Sequence, residues 1–306
     1  MPMILILEQL LNGLQYGIML FLMAAGLTLI FGIMGVINLA HGSLYMIGAF
    51  AGTYAAMRYG SFWIGLPVGL VTAMIAGFIV ETVVVRRLYQ RDHLDQVLAT
   101  FALILVSNQL IVLIFGRQPI FTPLPAALSG SIELLPGLFY PMYRLLIIGV
   151  GLLVAGLLYL LINRTRIGML VRAGSTNRDM VRALGVNIRM LYTLVFGLGA
   201  LLAGLAGYMT GPILSVQVGM GEQILLATFV VVVIGGVGSI KGAFIAGVGL
   251  GIVDTMLRAF LPQILEAFLP PADAQAVGSG VSSMGIYLLM ALVLLVRPKG
   301  LFPAEN

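Results

Sequence analysis

Four polar groupings sit inside otherwise apolar runs of this chain, and each has a chemistry it could perform. Asn38 and His41, in the string Ile37-Asn38-Leu39-Ala40-His41-Gly42-Ser43, stand three apart. That spacing puts two side chains on one face of a helix. Such a pair can meet a passing solute or hydrogen-bond helix to helix, and the residues leave both readings open. Asp254 and Arg258 form an i, i+4 pair with the acid first, the favoured orientation, and read as a structural ion pair or as a gate at the outer mouth. Glu81, shortly before Arg86 and Arg87, is expected to pair with a basic residue at the membrane boundary. Asn108 and Gln109 are candidates for lining a solute path.

Absences narrow the chemistry. There is no cysteine, so disulfides, thiolate nucleophiles and Cys-based zinc sites are excluded. Two histidines, His41 and His93, are too few for a histidine metal cluster. Around Lys241 the chain reads Gly236-Val237-Gly238-Ser239-Ile240-Lys241-Gly242, without the spacing or the hydroxyl of a phosphate-binding loop. No paired acids and no Ser-His-Asp order stand out. The chain is therefore not expected to be an enzyme, to carry a cofactor or to hydrolyse ATP itself. Any active transport through it draws its energy from another subunit.

The elements that hold these residues are set by composition. The 306 residues are 60% hydrophobic and 9% charged, where soluble domains are about a quarter charged. Lipid is the solvent. Apolar runs long enough to cross a bilayer as helices are Leu10–Phe31, Val36–Met57, Phe62–Val85, Val97–Phe115, Leu145–Ile162, Leu191–Leu214, Ile224–Ile240, Ala243–Leu261 and Gly278–Val296. The fold expected is an all-α integral membrane bundle of roughly eight to ten helices, one domain over residues 1–306. The seventh run is the shortest and ends on Gly235-Gly236-Val237-Gly238, so a half-crossing or broken helix is expected there. No basic segment and cleavage site come after Met1-Pro2, so no cleaved signal peptide is expected. The spacings Gly13/Gly17, Gly48/Gly52, Gly65/Gly69, Gly207/Gly211 and Gly247/Gly251 allow helix backbones to approach closely.

Basic residues set the orientation. Arg86, Arg87, Arg91, Arg164, Arg166, Arg172, Arg178, Arg182, Arg189, Lys241, Arg297 and Lys299 fall on one side of an alternating chain. Arg58, Arg117 and Arg144 fall on the other, and Arg258 lies within a span. The richer side is cytosolic, which places the N-terminus outside, the C-terminus inside and the proline-rich loop 116–143 outside. The loop 163–190 is then a cytosolic elbow with six arginines against one acid, Asp179. Within it, Thr176 to Leu184 reads as a short helix, opened by Thr176 with an acid three residues later and closed by Gly185. So short a helix needs support, from lipid headgroups or from a partner protein, and the residue types alone do not choose.

Three strings carry a resemblance to a known family: Gly35-Val36-Ile37-Asn38-Leu39-Ala40-His41-Gly42; Arg172-Ala173-Gly174-Ser175-Thr176-Asn177-Arg178-Asp179 running to Ala183-Leu184-Gly185; and Gly235 through Gly242. The chain resembles the permease subunits of bacterial ABC importers for branched-chain amino acids, of the LivH type. The resemblance implies that Arg172, Thr176, Asn177, Arg178, Asp179, Arg182 and Gly185 belong to a coupling element that docks on cytosolic ATPase subunits. It also implies two ATPases that bind the ATP, a paralogous second permease, an extracytoplasmic solute-binding protein and a place in the bacterial inner membrane. No nucleic acid partner is implied. Permeases for urea, short amides or other amino acids look similar, and a passive small-solute channel is the alternative from another class.

Overall fold

The computed structural model describes residues 3–302, the side chains of Arg178 and Asp179 excepted. The apolar runs become helices: α1 (Met3–Met34), α2 (His41–Tyr59), α3 (Phe62–Val80), α4 (Arg86–Leu88), α5 (His93–Phe115), α6 (Met142–Arg164), α7 (Arg166–Thr176), α8 (Arg178–Ala183), α9 (Ile188–Thr210), α10 (Met220–Gly235), α11 (Ile240–Leu265) and α12 (Pro271–Val296). A π-helical turn, Glu81–Val85, joins α3 to α4, so the third span runs unbroken to Leu88. Seven of these helices are long and apolar enough to cross a membrane.

The other two predicted spans differ from expectation, each at a break in the backbone. The second is expected from Val36, but Gly35 ends α1 in a left-handed turn (φ 65°) and helix resumes only at His41. Residues 35–40 are non-helical yet lie largely inside the protein, with Val36, Asn38 and Ala40 buried. The seventh span is α10, 16 residues long. At 1.5 Å per residue that is about 24 Å, short of a hydrocarbon core of about 30 Å. A non-helical segment, 211–219, leads into it, and Gly236 with its positive φ comes directly after. Irregular backbone inside a bilayer is tolerated where protein covers it. Here Gln96, itself buried, accepts from the Ile37 amide at 3.2 Å and donates to the carbonyls of Leu88 and Arg91.

Helix α1 forms the spine. From Gly13 onward it is buried on nearly every side, by α11, α9, α6 and α10. The paired glycines explain how the backbones come so close: a methyl group on Gly17 would sit 2.6 Å from the Gly247 carbonyl, and one on Gly251 would strike Gly17. Gly48 and Gly52 on α2 interlock in the same way with Gly69 and Gly65 on α3. Four of the five predicted pairs thus meet another pair across a helix interface.

The loop 116–143 is not all irregular. Strands β1 (Ser131–Leu135) and β2 (Leu138–Pro141) form an antiparallel hairpin, a small exception to the all-helical expectation. Ile120 bridges Val216, stitching the loop to the segment that enters α10, and Thr53 of α2 hydrogen-bonds Thr122 at 2.6 Å.

Candidate functional site

The elbow of residues 163–190 is two helices rather than one. Thr165 caps α7 by accepting from the Gly168 amide, and α7 runs through Thr176, whose hydroxyl donates back to the Arg172 carbonyl. Thr176 is therefore an end and not a beginning. Asn177 opens α8 instead, its Oδ1 accepting from the Met180 amide at 3.0 Å. An extended Asn (φ −152°) can aim its carbonyl at that amide, and it does so one residue after the expected cap. The expected contribution of Asp179 to a capping box, like the side chain of Arg178, lies outside the described residues. Gly185 adopts the predicted left-handed conformation, φ 83°. Along α8 and its C-cap Leu184, Val181 turns inward, while Met180, Arg182 and Leu184 are exposed. Arg172 reaches the Ile162 carbonyl at the end of α6.

Behind the elbow lies a polar cluster centred on Glu81, fully buried at the π-turn. Its carboxylate accepts from Arg86 Nη2 at 2.8 Å, Thr193 Oγ1 at 2.8 Å and Tyr89 Oη at 2.6 Å. The expected pairing with a basic residue is present. Burial, then the hydrogen bond to Glu81, hold the Tyr89 phenol well above its usual pKa, so it stays a donor. Thr193 sits in the second turn of α9, directly after the elbow. Tyr192 stacks edge-on against Tyr89 (5.2 Å) and donates to the Ile33 carbonyl of α1. A π-turn adds one residue to the helix and rotates the turn beyond it, which brings Arg86 and Tyr89 round onto Glu81. Four elements (α3, α4, α9 and α1) are thereby joined just beneath the elbow.

Asn38 and His41 do not share a helix face, because Asn38 precedes α2. Both are fully buried, and neither side chain makes the interhelical hydrogen bond that is one of the two readings. The His41 ring packs on Gly26 of α1, near the backbone of Met23 without completing a hydrogen bond. The next residue, Gly42, meets Gly221 of α10 backbone to backbone, so closely that a methyl on Gly42 would collide with the Gly221 carbonyl. Its neighbour Glu222 accepts from Asn108 Nδ2 of α5 at 2.6 Å. The structure thus brings the start of α2 and Asn108 to one crossing through Glu222, a residue that its sequence surroundings do not single out. An acid inside an apolar run, with no basic residue three or four positions away, is the one signal available. Beside the crossing an open groove of about 540 Å³ is lined by Leu105, Asn108, Gln109, Val112, Arg117 and Val218. Both Asn108 and Gln109 line it.

Asp254 and Arg258 form the expected pair at 2.8 Å, with Asp254 buried and Arg258 half-exposed, leaning towards Ser283 of α12. Among the described residues no group of three metal-ligating side chains comes together.

The chain matches, over residues 9–296, the family described as branched-chain amino acid transport system / permease component. It is 30% identical to the high-affinity branched-chain amino acid transport system permease protein BraD of Pseudomonas aeruginosa, across 96% of this chain and 95% of that protein. It is 28% identical to LivH, the corresponding permease protein of Escherichia coli K12, across 96% and 94%. It is 26% identical to the probable LivH permease of Methanocaldococcus jannaschii, across 94% and 89%. Among solved structures, PsaBC from Streptococcus pneumoniae in complex with Fab aligns with 94% of this chain and 91% of that chain at 14% identity and a TM-score of 0.46, a likeness too distant to add to the assignment.

Proposed function

The chain belongs to the branched-chain amino acid transport system permease family, and from that premise we propose that it is the membrane subunit of an ATP-driven importer for branched-chain amino acids. It sits as a multi-pass protein in the bacterial inner membrane and shares the solute path with a second, related permease. Two cytosolic ATPases bind and hydrolyse the ATP, and an extracytoplasmic binding protein delivers the solute. The chain itself performs no chemistry on it and holds no cofactor.

One observation supports this reading beyond family membership. Helix α8 presents Met180 and, at its C-terminal end, Leu184, 64% and 78% exposed, beside Arg182. Large apolar side chains four residues apart on an exposed basic helix are suited to a groove on a soluble partner. The helix is also connected mechanically, because the chain leads from Gly185 into α9, to Thr193 and so to the Glu81 cluster. A push on α8 reaches α3 and α1 through hydrogen bonds rather than through slack loop. Nucleotide binding can then shift the inward/outward balance by holding one state of α8 more tightly than the other.

Reconstitution tests the proposal. Proteoliposomes holding the permease pair, the ATPases and the binding protein should accumulate leucine only with ATP. Flux of leucine through the permeases alone would establish a passive channel in its place.

A further inference from the structure

Glu222 is an acid at membrane depth without a cation. Asn108, to which it is bonded, stands in a helix running from residue 93 to 115, so it is roughly 22 Å from one end and 10 Å from the other at 1.5 Å per residue. Both positions lie within a bilayer core of about 30 Å. Among the described residues the ion pairs are Arg86–Glu81 and Arg258–Asp254, and Glu222 is in neither. Its environment is not a packed interior: Glu222 is half-buried, Gln109 and Gln223 beside it are exposed, and the groove lined by Asn108 opens alongside. An ionisable side chain on such a face would be costly against lipid, so the face borders a water-filled path or another protein.

Asn108 spends one amide hydrogen on Glu222 Oε1, while its own Oδ1 is buried without a partner. The crossing therefore offers a carboxylate and an amide oxygen, all acceptors, next to the apolar wall of Leu105, Val112 and Val218. Arg117, two residues beyond the end of α5, lines the same groove. A cation on a small, partly apolar molecule fits this set; an uncharged amide or urea does not call for it.

We infer that Glu222, bonded to the groove residue Asn108, receives the α-ammonium group of an amino acid as it passes along the groove between α5 and the segment that enters α10. The apolar side chain lies on Leu105, Val112 and Val218, and Arg117 favours entry of the carboxylate end. The inference rests on the importer reading above and narrows it, because it makes a free ammonium group a requirement of passage.

The test uses the complete reconstituted importer with ATP and radiolabelled L-leucine. Glu222→Gln keeps the shape and the acceptor for Asn108 but removes the charge. It should lower uptake roughly tenfold or more, the scale of one charge-assisted hydrogen bond, while assembly and ATP hydrolysis persist. Combining it with Asn108→Asp returns a carboxylate to the other side of the same pair and should restore most of the uptake. Wild-type uptake in Glu222→Gln would overturn the inference, as would an assembled double variant as impaired as the single one. Should the single variant not assemble, the double variant decides alone: an assembled complex without uptake overturns the proposal. Failure of the unmodified importer to take up leucine would count against the importer reading instead.

Discussion

Glu81 shows what a single buried charge requires. Three donors from α4, its flanking turn and α9 meet one carboxylate that has no contact with solvent. Because Arg86 reaches solvent, loss of Glu81 strands the Tyr89 and Thr193 hydroxyls rather than a buried cation, at about 1–3 kcal/mol. Glu81→Ala should therefore destabilise the protein by about that much, read as a lower melting point in detergent, whereas Thr193→Val should cost nearer 1 kcal/mol. If the cluster carries motion, Tyr89→Phe, which removes one hydrogen bond and little volume, should weaken uptake more than it lowers the melting point. Single residues are unevenly legible in the sequence. The acids with arginines after them, Glu81 and Asp254, are readable because ion pairs close over one or two turns of helix. Asn38 and His41 look like a helical pair because the apolar run containing them continues across a break that Gly35 alone signals. Glu222 shows only as an acid without a nearby basic residue, because its partner is 114 positions away, and no local spacing can express that.

At the scale of elements, α8 is the most exposed in its dependence on local chemistry. Asn177→Ala removes its cap, at about 1 kcal/mol, and a helix of six residues has little else to hold it. Gly185→Pro is incompatible with φ 83°. Both variants should insert normally, lose most ATP-driven uptake and fail to hold the ATPases in a pull-down; normal uptake in Gly185→Pro would remove the elbow from the mechanism. The interlocked glycines make the opposite kind of prediction. Gly48→Leu forces α2 from α3 and α9, where even a methyl would collide with Gly204, and should abolish a folded, monodisperse protein in detergent. The glycine spacings are legible because small residues four apart leave one smooth helix face. Which pair meets which is not, since that depends on the order in which helices stack. The division of the elbow into α7 and α8 is also hidden: Thr176 satisfies the pattern of a helix start, and only the extended conformation of Asn177 decides between the two.

For the whole molecule, orientation is the property on which coupling depends, and the absence of cysteine makes it directly measurable. Ser175→Cys, near the C-terminal end of α7, should react with an impermeant maleimide only in inside-out vesicles, and a cysteine at exposed Ser131 in the outer hairpin only in right-side-out ones. The long apolar runs are legible because they reflect the solvent and not the packing, and the labelling reads the orientation that the charge bias leads one to expect. Burial of α1 as the central spine has a consequence in time. Ribosomes deliver α1 long before α9 and α11, whose glycines and small side chains enclose it; some two hundred residues, at roughly 5–20 residues per second, separate the two events by about ten to forty seconds. During that interval the future centre of the protein stands among lipids or within the insertion machinery, its Gly13 and Gly17 uncovered. Assembly of this permease is therefore a late capture of an early helix, and mutations at Gly247 or Gly251 should leave a newly made chain stranded at that step, open to membrane proteases.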